Sequence, residues 1–437
     1  MEWQLTLLVI LGSLLVLMMT GLPIALCFLF VDLIGVFIFF GGTAGLEQLI
    51  LSLLQSLNRF SLVPLPLFIL MGEVMFLSGI APLMMDAMDG WLGRLPGRLS
   101  LEAVAGGTLF ATLSGASMAS VAMLGSVLVP EMEKRGYKKP MTLGPILGSG
   151  GLAIMIPPSA LAILLGALGE ISIGKLLIAI IIPGLIMATL YAIYIVGRCF
   201  LQPHLAPAYV VTHISISEKI VATLKNILPL GLIIFLVLGV IFLGVATPTE
   251  AAATGALGTF ILAACHRRLN WKTIKDSFMN TIDVTIMMFM IIVGATAYAQ
   301  ILGFTGASRG LVDFVIGLPL VPILVIIAMQ VLLLFLGMFI SVVAIMMITL
   351  PIFLPVVIAL GFDPIWFGVI FLLNIEMATT SPPYGLSLFV MKGVVPPDTT
   401  MGDIYRAALP FLYCDLVAMV CLIAFPSLVL WLPGLMR

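Results

Sequence analysis

The chain has 437 residues, of which 62% are hydrophobic and 9% charged, and its net charge is −1. A soluble domain carries roughly a quarter charged residues, so this composition excludes a soluble protein and points to an all-α integral membrane protein; an open sheet leaves backbone groups unpaired in lipid, and a barrel would show short alternating segments. The charge balance, with no basic stripe, argues against nucleic acid, and three histidines and five scattered cysteines without CxxC or HExxH spacing argue against a metal or redox centre.

About 20 apolar residues cross a bilayer. In chain order, that length predicts spans over 4–20, 23–41, 62–82, 142–169, 172–198, 228–246, 248–265, 282–304, 365–391 and 407–432. The first lacks a basic leader and reads as a retained helix. Segments 44–57 and 271–281 read as interfacial helices, and 203–222 as a polar cytoplasmic linker.

Two apolar regions fit poorly as single spans. Residues 100–132 are interrupted by Leu113-Ser114-Gly115-Ala116-Ser117, and 321–360 by Gly337-Met338-Phe339-Ile340-Ser341. Each reads as a re-entrant hairpin of two helical arms meeting at a small-residue tip, which lipid tolerates only where protein or a watery cavity receives the tip. Spans 142–169 and 365–391 are broken by Ile156-Pro157-Pro158-Ser159 and Ser381-Pro382-Pro383-Tyr384.

The two proline pairs lie 225 residues apart, and the same offset links Pro23 to Pro248, Pro130 to Pro355 and Gly136 to Gly361. The chain therefore divides into repeats over 1–202 and 223–437, each with three spans, a hairpin, a broken span and a final span. A hairpin crosses nothing net, so each repeat crosses five times and the second lies inverted relative to the first. With the N-terminus outside, all but Arg59, Lys175, Arg309 and Arg437 of the 19 basic residues face the cytoplasm. This is the positive-inside arrangement, with both termini periplasmic. It brings the hairpins in from opposite faces toward one central site.

Proline lacks an N–H, so each pair frees carbonyls one turn upstream, around Ala153 and Ala378. Carbonyls are hard donors suited to a small cation such as sodium, and hydroxyls from Ser114, Ser117, Thr379, Thr380, Ser381 and Ser341 adjoin them. The alternative is a kink serving helix contacts alone. An anionic substrate would sit between the tips, held by helix N-termini near Ala116 and Ile340, with Ser117, Asn374, Thr379 and Thr380 as polar lining. Asp32, Glu73, Glu250, Glu376 and Asp415 fall inside proposed spans. Such acids are functional candidates by default or structural glue; Glu250, after Thr247-Pro248-Thr249, suits a helix start. Methionine clusters at 84–88, 287–290 and 346–347 read as gap-filling side chains.

Several stretches resemble one transporter family along nearly the whole chain. They are Gly21-Leu22-Pro23-Ile24-Ala25, Pro66-Leu67-Phe68-Ile69-Leu70-Met71-Gly72-Glu73, Glu131 to Tyr137, Ile156 to Ser159, Thr247 to Ala253 and Pro351-Ile352-Phe353-Leu354-Pro355. The chain resembles the large membrane subunit of tripartite ATP-independent periplasmic (TRAP) transporters. The resemblance implies an elevator-type carrier in the bacterial inner membrane, with a scaffold part and a transport part that holds the hairpins. It implies a small four-helix membrane subunit, a periplasmic binding protein that delivers an organic anion, membrane lipid around the spans, and a sodium gradient rather than ATP. Two sodium sites follow from it by motif. One uses Ser114, Ala153, Ile156 and Ser159; the other uses Gly337, Ala378, Ser381 and Tyr384, mostly through carbonyls. Residues 153 and 378 are alanine where relatives often have glycine, Ser341 stands where many have Asp, and Tyr384 where many have Val.

The leading expectation is sodium-coupled import of a small carboxylate or sulfonate by one component of a tripartite system. A stand-alone anion carrier, a channel and an intramembrane enzyme are the alternatives. No nucleophile–base pair is visible for an enzyme, unless Asp32 and Glu376 meet in space.

Overall fold

The computed structural model describes residues 2–92, 95–114, 117–207 and 215–436, and every regular element among them is a helix. The chain opens with α1 (Trp3–Met19), α2 (Ile24–Phe39), α3 (Thr43–Leu57) and α4 (Pro64–Leu77). The span expected over 62–82 ends early, because Gly79 adopts φ +65° and turns the chain into a separate helix, α5 (Ile80–Leu92). The first hairpin region forms two arms, α6 (Arg98–Ser114) and α7 (Ser117–Lys134). The first broken span forms α8 (Lys139–Met155) and α9 (Ala160–Leu168), bent by 42° at the prolines. Then come α10 (Ile173–Ala179) and α11 (Ile181–Leu201).

The polar linker is shorter than expected. Ser215 and Glu218 form a capping box, with Glu218 N–H donating to Ser215 Oγ at 3.1 Å and Ser215 N–H to Glu218 Oε2 at 3.0 Å. This pair starts α12 (Ile216–Ala222), which continues through a wide turn at Thr223–Ile227 into α13 (Leu228–Phe242). Pro229 has no N–H to offer Lys225, so the helix widens there instead of stopping. After α14 (Pro248–Cys265), the expected interfacial segment and span merge into the 34-residue α15 (Trp271–Phe304). No proline interrupts it and its first glycine is Gly294, so nothing ends the helix at residue 281. A short helix absent from the sequence reading follows, α16 (Ala307–Ile316).

The second half continues with α17 (Pro322–Gly337), α18 (Val342–Ala359), α19 (Pro364–Thr380) and α20 (Leu386–Val394). The last expected span starts earlier, at α21 (Met401–Ala424), because Thr400 and Asp403 form a capping box; Pro426 divides it from α22 (Ser427–Gly434). Shifting α7 and α8 by 225 residues reproduces the bounds of α18 and α19.

Among the described residues, six helices are long and apolar enough to cross a membrane singly, and the bent α8–α9 pair is a seventh candidate. Exposed Phe30, Ile34, Phe37 and Ile38 on α2, and Leu228, Leu232 and Phe235 on α13, form apolar outer faces suited to lipid. The helices gather into two groups. In one, α4 packs on α14 and α15, α15 on α2 and α3, and α13 on α14. In the other, α8 is enclosed by α6, α7, α11, α19 and α21. Every residue of α8 from Met141 and of α19 from Trp366 is buried. The two helices that lead into the proline breaks are thus the centre of the second group.

Candidate functional site

Glycines let the two proline-broken helices approach their hairpins. On α8, a Cβ at Gly150 would lie 2.2 Å from Val121 Cγ2 and 3.3 Å from the Ser117 carbonyl oxygen, so the start of α7 rests directly on α8. On the other side, a Cβ at Gly337, the last residue of α17, would lie 2.2 Å from Ala378 Cβ. The end of α17, where the sequence places the second hairpin tip, therefore sits on the last turn of α19. The halves also cross over: Val394 of α20 packs on Gly125 of α7, and a Cβ at Gly151 of α8 would strike Glu376 of α19.

At the first break, Ala153 is fully buried and Ile156 has left the helix for an extended conformation (φ −115°, ψ 119°). The partners that helix geometry would assign to the Ala153 and Ile154 carbonyls are Pro157 and Pro158, which cannot donate. Both proline pairs have a cis peptide bond between the two prolines. Ser159 is buried, and its hydroxyl accepts from Ala162 N–H at 3.3 Å as the N-cap of α9. Ser117 is buried, and its hydroxyl has no hydrogen-bond partner among the described residues. Ser114 ends α6; Gly115 and Ala116 lie outside the described residues, so the first tip is not on view.

At the second break, Ser381 is buried and extended, and its hydroxyl donates to the Met377 carbonyl at 2.7 Å. Gly385 comes so close that an added Cβ would lie 2.5 Å from the Thr379 carbonyl oxygen and 2.8 Å from that of Ser381. Two carbonyl oxygens thus gather beside the break. This donor set suits a small hard cation and involves no side-chain charge. Tyr384 is 57% exposed, its ring against Phe389 and Phe339, so a ligand role there rests on its backbone. Ser341 caps α18 by accepting from Ala344 N–H at 3.4 Å.

Of the proposed lining residues, Asn374, Thr379 and Thr380 are buried but already engaged, whereas the Ser117 hydroxyl is unpartnered among the described residues. Asn374 Nδ2 donates to the Gln330 carbonyl at 2.7 Å and to its Oε1 at 2.9 Å, tying α19 to α17. Thr379 and Thr380 hydroxyls donate back to the carbonyls of Glu376 and Met377, at 2.9 and 3.2 Å. Their oxygens keep acceptor capacity, whereas the Asn374 amide nitrogen has both hydrogens accounted for.

The five acids that the sequence places inside spans separate by environment. Glu250 N–H donates to Thr247 Oγ1 at 3.3 Å and its carboxylate accepts from Thr247 N–H at 2.8 Å, a capping box at the head of α14. Glu73 accepts from Asn280 at 2.9 Å, joining α4 to α15. Asp32 is buried on α2 facing Gly294 of α15, in the first helix group. Glu376 and Asp415 are buried in the second, so Asp32 and Glu376 are not brought together.

A cavity of about 670 Å³ opens between the groups, lined by Arg59, Glu170 and Lys175 as well as by α15 and α18. Arg59 and Glu170 form an ion pair across it at 2.7 Å. Sequence reading missed this bridge, because nothing in the chain links residues 111 positions apart.

Comparison with known proteins supports the all-helical membrane fold. A family model for the DctM component of tripartite ATP-independent periplasmic transporters matches residues 11–428. A C4-dicarboxylate TRAP transporter large permease protein, DctM, of Pseudomonas aeruginosa is 33% identical, over 89% of this chain and 90% of that one. The ectoine TRAP transporter large permease protein TeaC of Halomonas elongata is 29% identical, over 96% and 97%. Among solved structures, the YdaH transporter of Alcanivorax borkumensis superposes with a TM-score of 0.63 at 16% identity, covering 88% of this chain and 89% of that one. At that identity the likeness speaks for the fold alone.

Proposed function

This chain belongs to the family of the DctM component of tripartite ATP-independent periplasmic transporters, a multi-pass bacterial membrane protein, and from that premise we propose that it imports a small organic anion driven by sodium. In this reading it is the large permease of a tripartite system in the inner membrane, with both termini periplasmic. A periplasmic binding protein delivers the substrate and a small four-helix subunit joins the scaffold. The observation that carries the reading is the contact of Gly337 with Ala378, where a hairpin tip meets a helix end whose Ala378 and Thr379 carbonyls have Pro382 and Pro383 in the places of their helical donors, Ala378 accepting instead from Ser381 N–H at 3.3 Å.

The two helix groups supply the moving and fixed parts. The group around α8 and α19 is the transport part; the group around α4, α14 and α15 is the scaffold. Motion of one past the other is the elevator step, and the cavity bridged by Arg59 and Glu170 supports it by separating the two on one side. The repeats lie inverted about the centre, which the shared 225-residue offset of α7–α8 and α18–α19 supports.

Two sodium ions bind, one beside Ala153, Ile156 and Ser159 with Ser114 from the first tip, the other beside Gly337, Ala378, Ser381 and the Tyr384 backbone. Ser117, Thr379 and Thr380 line the substrate site between them. Asn374 serves it indirectly, by holding α19 to α17. Relatives named for C4-dicarboxylates, ectoine and isethionate share a carboxylate or sulfonate group in their substrates, and that group is the feature recognised here.

The test is uptake into proteoliposomes holding the chain with its small subunit, with the binding protein outside. Substrate should accumulate only under an inward sodium gradient. Equal uptake with potassium in place of sodium rejects the coupling, and full uptake without the binding protein makes the chain a stand-alone carrier.

A further inference from the structure

Glu170 and Lys175 stand at positions that local structure does not favour. Glu170 follows Gly169, the C-cap of α9, and adopts φ +53°, while Ile171 N–H donates to the Gly166 carbonyl at 2.9 Å. This left-handed position closes a helix and normally takes glycine, because a Cβ strains the backbone there. Lys175 lies in the first turn of α10, its N–H donating to Ser172 Oγ at 3.4 Å, where the helix dipole disfavours a cation. Glu170 pairs with Arg59, but both side chains are exposed. An exposed ion pair adds little stability, so the bridge does not offset the strain at Glu170.

The three residues share a cavity. Arg59, Glu170 and Lys175 line the opening of about 670 Å³ between the helix groups. Arg59 and Glu170 also line a second, of about 720 Å³, that runs to the head of α14 at Thr247 and Thr249. The ion pair therefore lies where two cavities adjoin. Glu170 engages Arg59 through one hydrogen bond, from Nη1 to Oε1 at 2.7 Å, and the guanidinium fork carries further N–H donors for a ligand. Lys175 is exposed, and its ammonium has no ion-pair partner among the described residues. The other acid lining the first cavity, Asp363, is occupied: its Oδ1 accepts from Ile365 N–H at 2.7 Å and Trp366 N–H at 3.2 Å as the cap of α19. Two cations thus face one singly bonded carboxylate. Arg59 and Lys175 are also two of the four basic residues that the positive-inside arrangement leaves outside the cytoplasm.

We propose that Arg59 and Lys175 form an anion site on the periplasmic side, which takes a carboxylate or sulfonate before it reaches the helix breaks, and that the Glu170 carboxylate is its internal stand-in. An arriving carboxylate displaces Glu170, pairs with two N–H groups of the planar guanidinium, and turns its charge toward the Lys175 ammonium. This site rests on the orientation and substrate class proposed above. It needs neither sodium nor the binding protein, so its failure is distinct from a failure of coupling or of delivery.

Saturation-transfer NMR tests it, with succinate as the probe and the purified full chain in potassium buffer at low ionic strength, without sodium. The wild type should show saturable binding that weakens as salt is added. Arg59→Ala and Lys175→Ala should each weaken it about two- to five-fold, and Glu170→Gln should tighten it by about the same factor. The double variant of Arg59→Ala and Lys175→Ala should not saturate. A bridge that serves structure alone would give no gain in Glu170→Gln. Absence of saturable binding in the wild type overturns the proposal. So does binding that appears only with sodium, which belongs to the central site. If Arg59→Ala does not fold, wild-type affinity in both Lys175→Ala and Glu170→Gln overturns it.

Discussion

Gly337 and Ala378 meet so closely that no methyl group fits between them: a Cβ on Gly337 would stand 2.2 Å from that of Ala378. The next neighbours, Ile345 Cδ1 at 3.4 Å and Ala378 Cα at 3.5 Å, are at ordinary contact distance. One methyl group therefore decides whether the hairpin tip can seat on the helix end.

Gly337→Ala should lift the tip. Overpacking of this kind costs about 1–3 kcal/mol, so apparent sodium affinity should fall about 5- to 150-fold. Gly337→Ala combined with Ala378→Gly removes the clashing methyl and should restore most of the loss. Uptake titrated against sodium in the single and double variants checks this; a single variant with wild-type affinity means the seat is not part of the ion site.

Ser381 and Ser159 stand at different places in the two breaks, Ser381 corresponding to Ile156 and Ser159 to Tyr384 by the 225-residue offset, and should respond differently. Ser159 caps α9, so Ser159→Ala should lower thermal stability by about 1 kcal/mol, with or without sodium. Ser381 donates to the Met377 carbonyl at 2.7 Å beside the gathered carbonyls. Ser381→Ala should raise the sodium concentration for half-maximal uptake a few-fold, with a smaller change in melting temperature. Melting curves in sodium and in potassium separate the two effects.

Asn374 and Gln330 should behave as one unit. Removing either leaves the other's buried polar group without its partner, a cost of about 1–3 kcal/mol. Asn374→Ala and Gln330→Ala should each lower the melting temperature, and the double variant should be little worse than either. A pure KM effect for Asn374→Ala with unchanged melting would instead put its side chain on the substrate.

Arg59 and Glu170 are 42% and 71% exposed, and exposed ion pairs contribute about 0–1 kcal/mol. Arg59→Ala should therefore leave stability nearly unchanged. Replacing both residues with cysteine in a cysteine-free background and oxidising them should arrest uptake, and reductant should release it. Continued uptake with the cross-link formed rules out relative motion of the two groups at this point.

Much of the fold was legible because its signals are local. Apolar length marked the spans, small-residue interruptions marked the division of α6 from α7 and of α17 from α18, and proline pairs marked the breaks after α8 and α19. The misreadings were local too. The Ser215–Glu218 capping box is a readable helix-start signal inside a stretch whose polarity otherwise reads as linker. The span over 62–82 ended at Gly79, and 271–281 joined α15 because no residue there stops a helix.

The sequence by itself determined the membrane class, the repeat spacing and the positions where backbone carbonyls lose their donors, because hydropathy and the missing proline N–H act within a few residues. Only the tertiary structure decided which groups meet: Gly337 with Ala378, Asn374 with Gln330, Arg59 with Glu170, and Glu376 with Gly151. Those pairings join residues 41 to 225 positions apart. They depend on how whole helices pack, and no local periodicity encodes that.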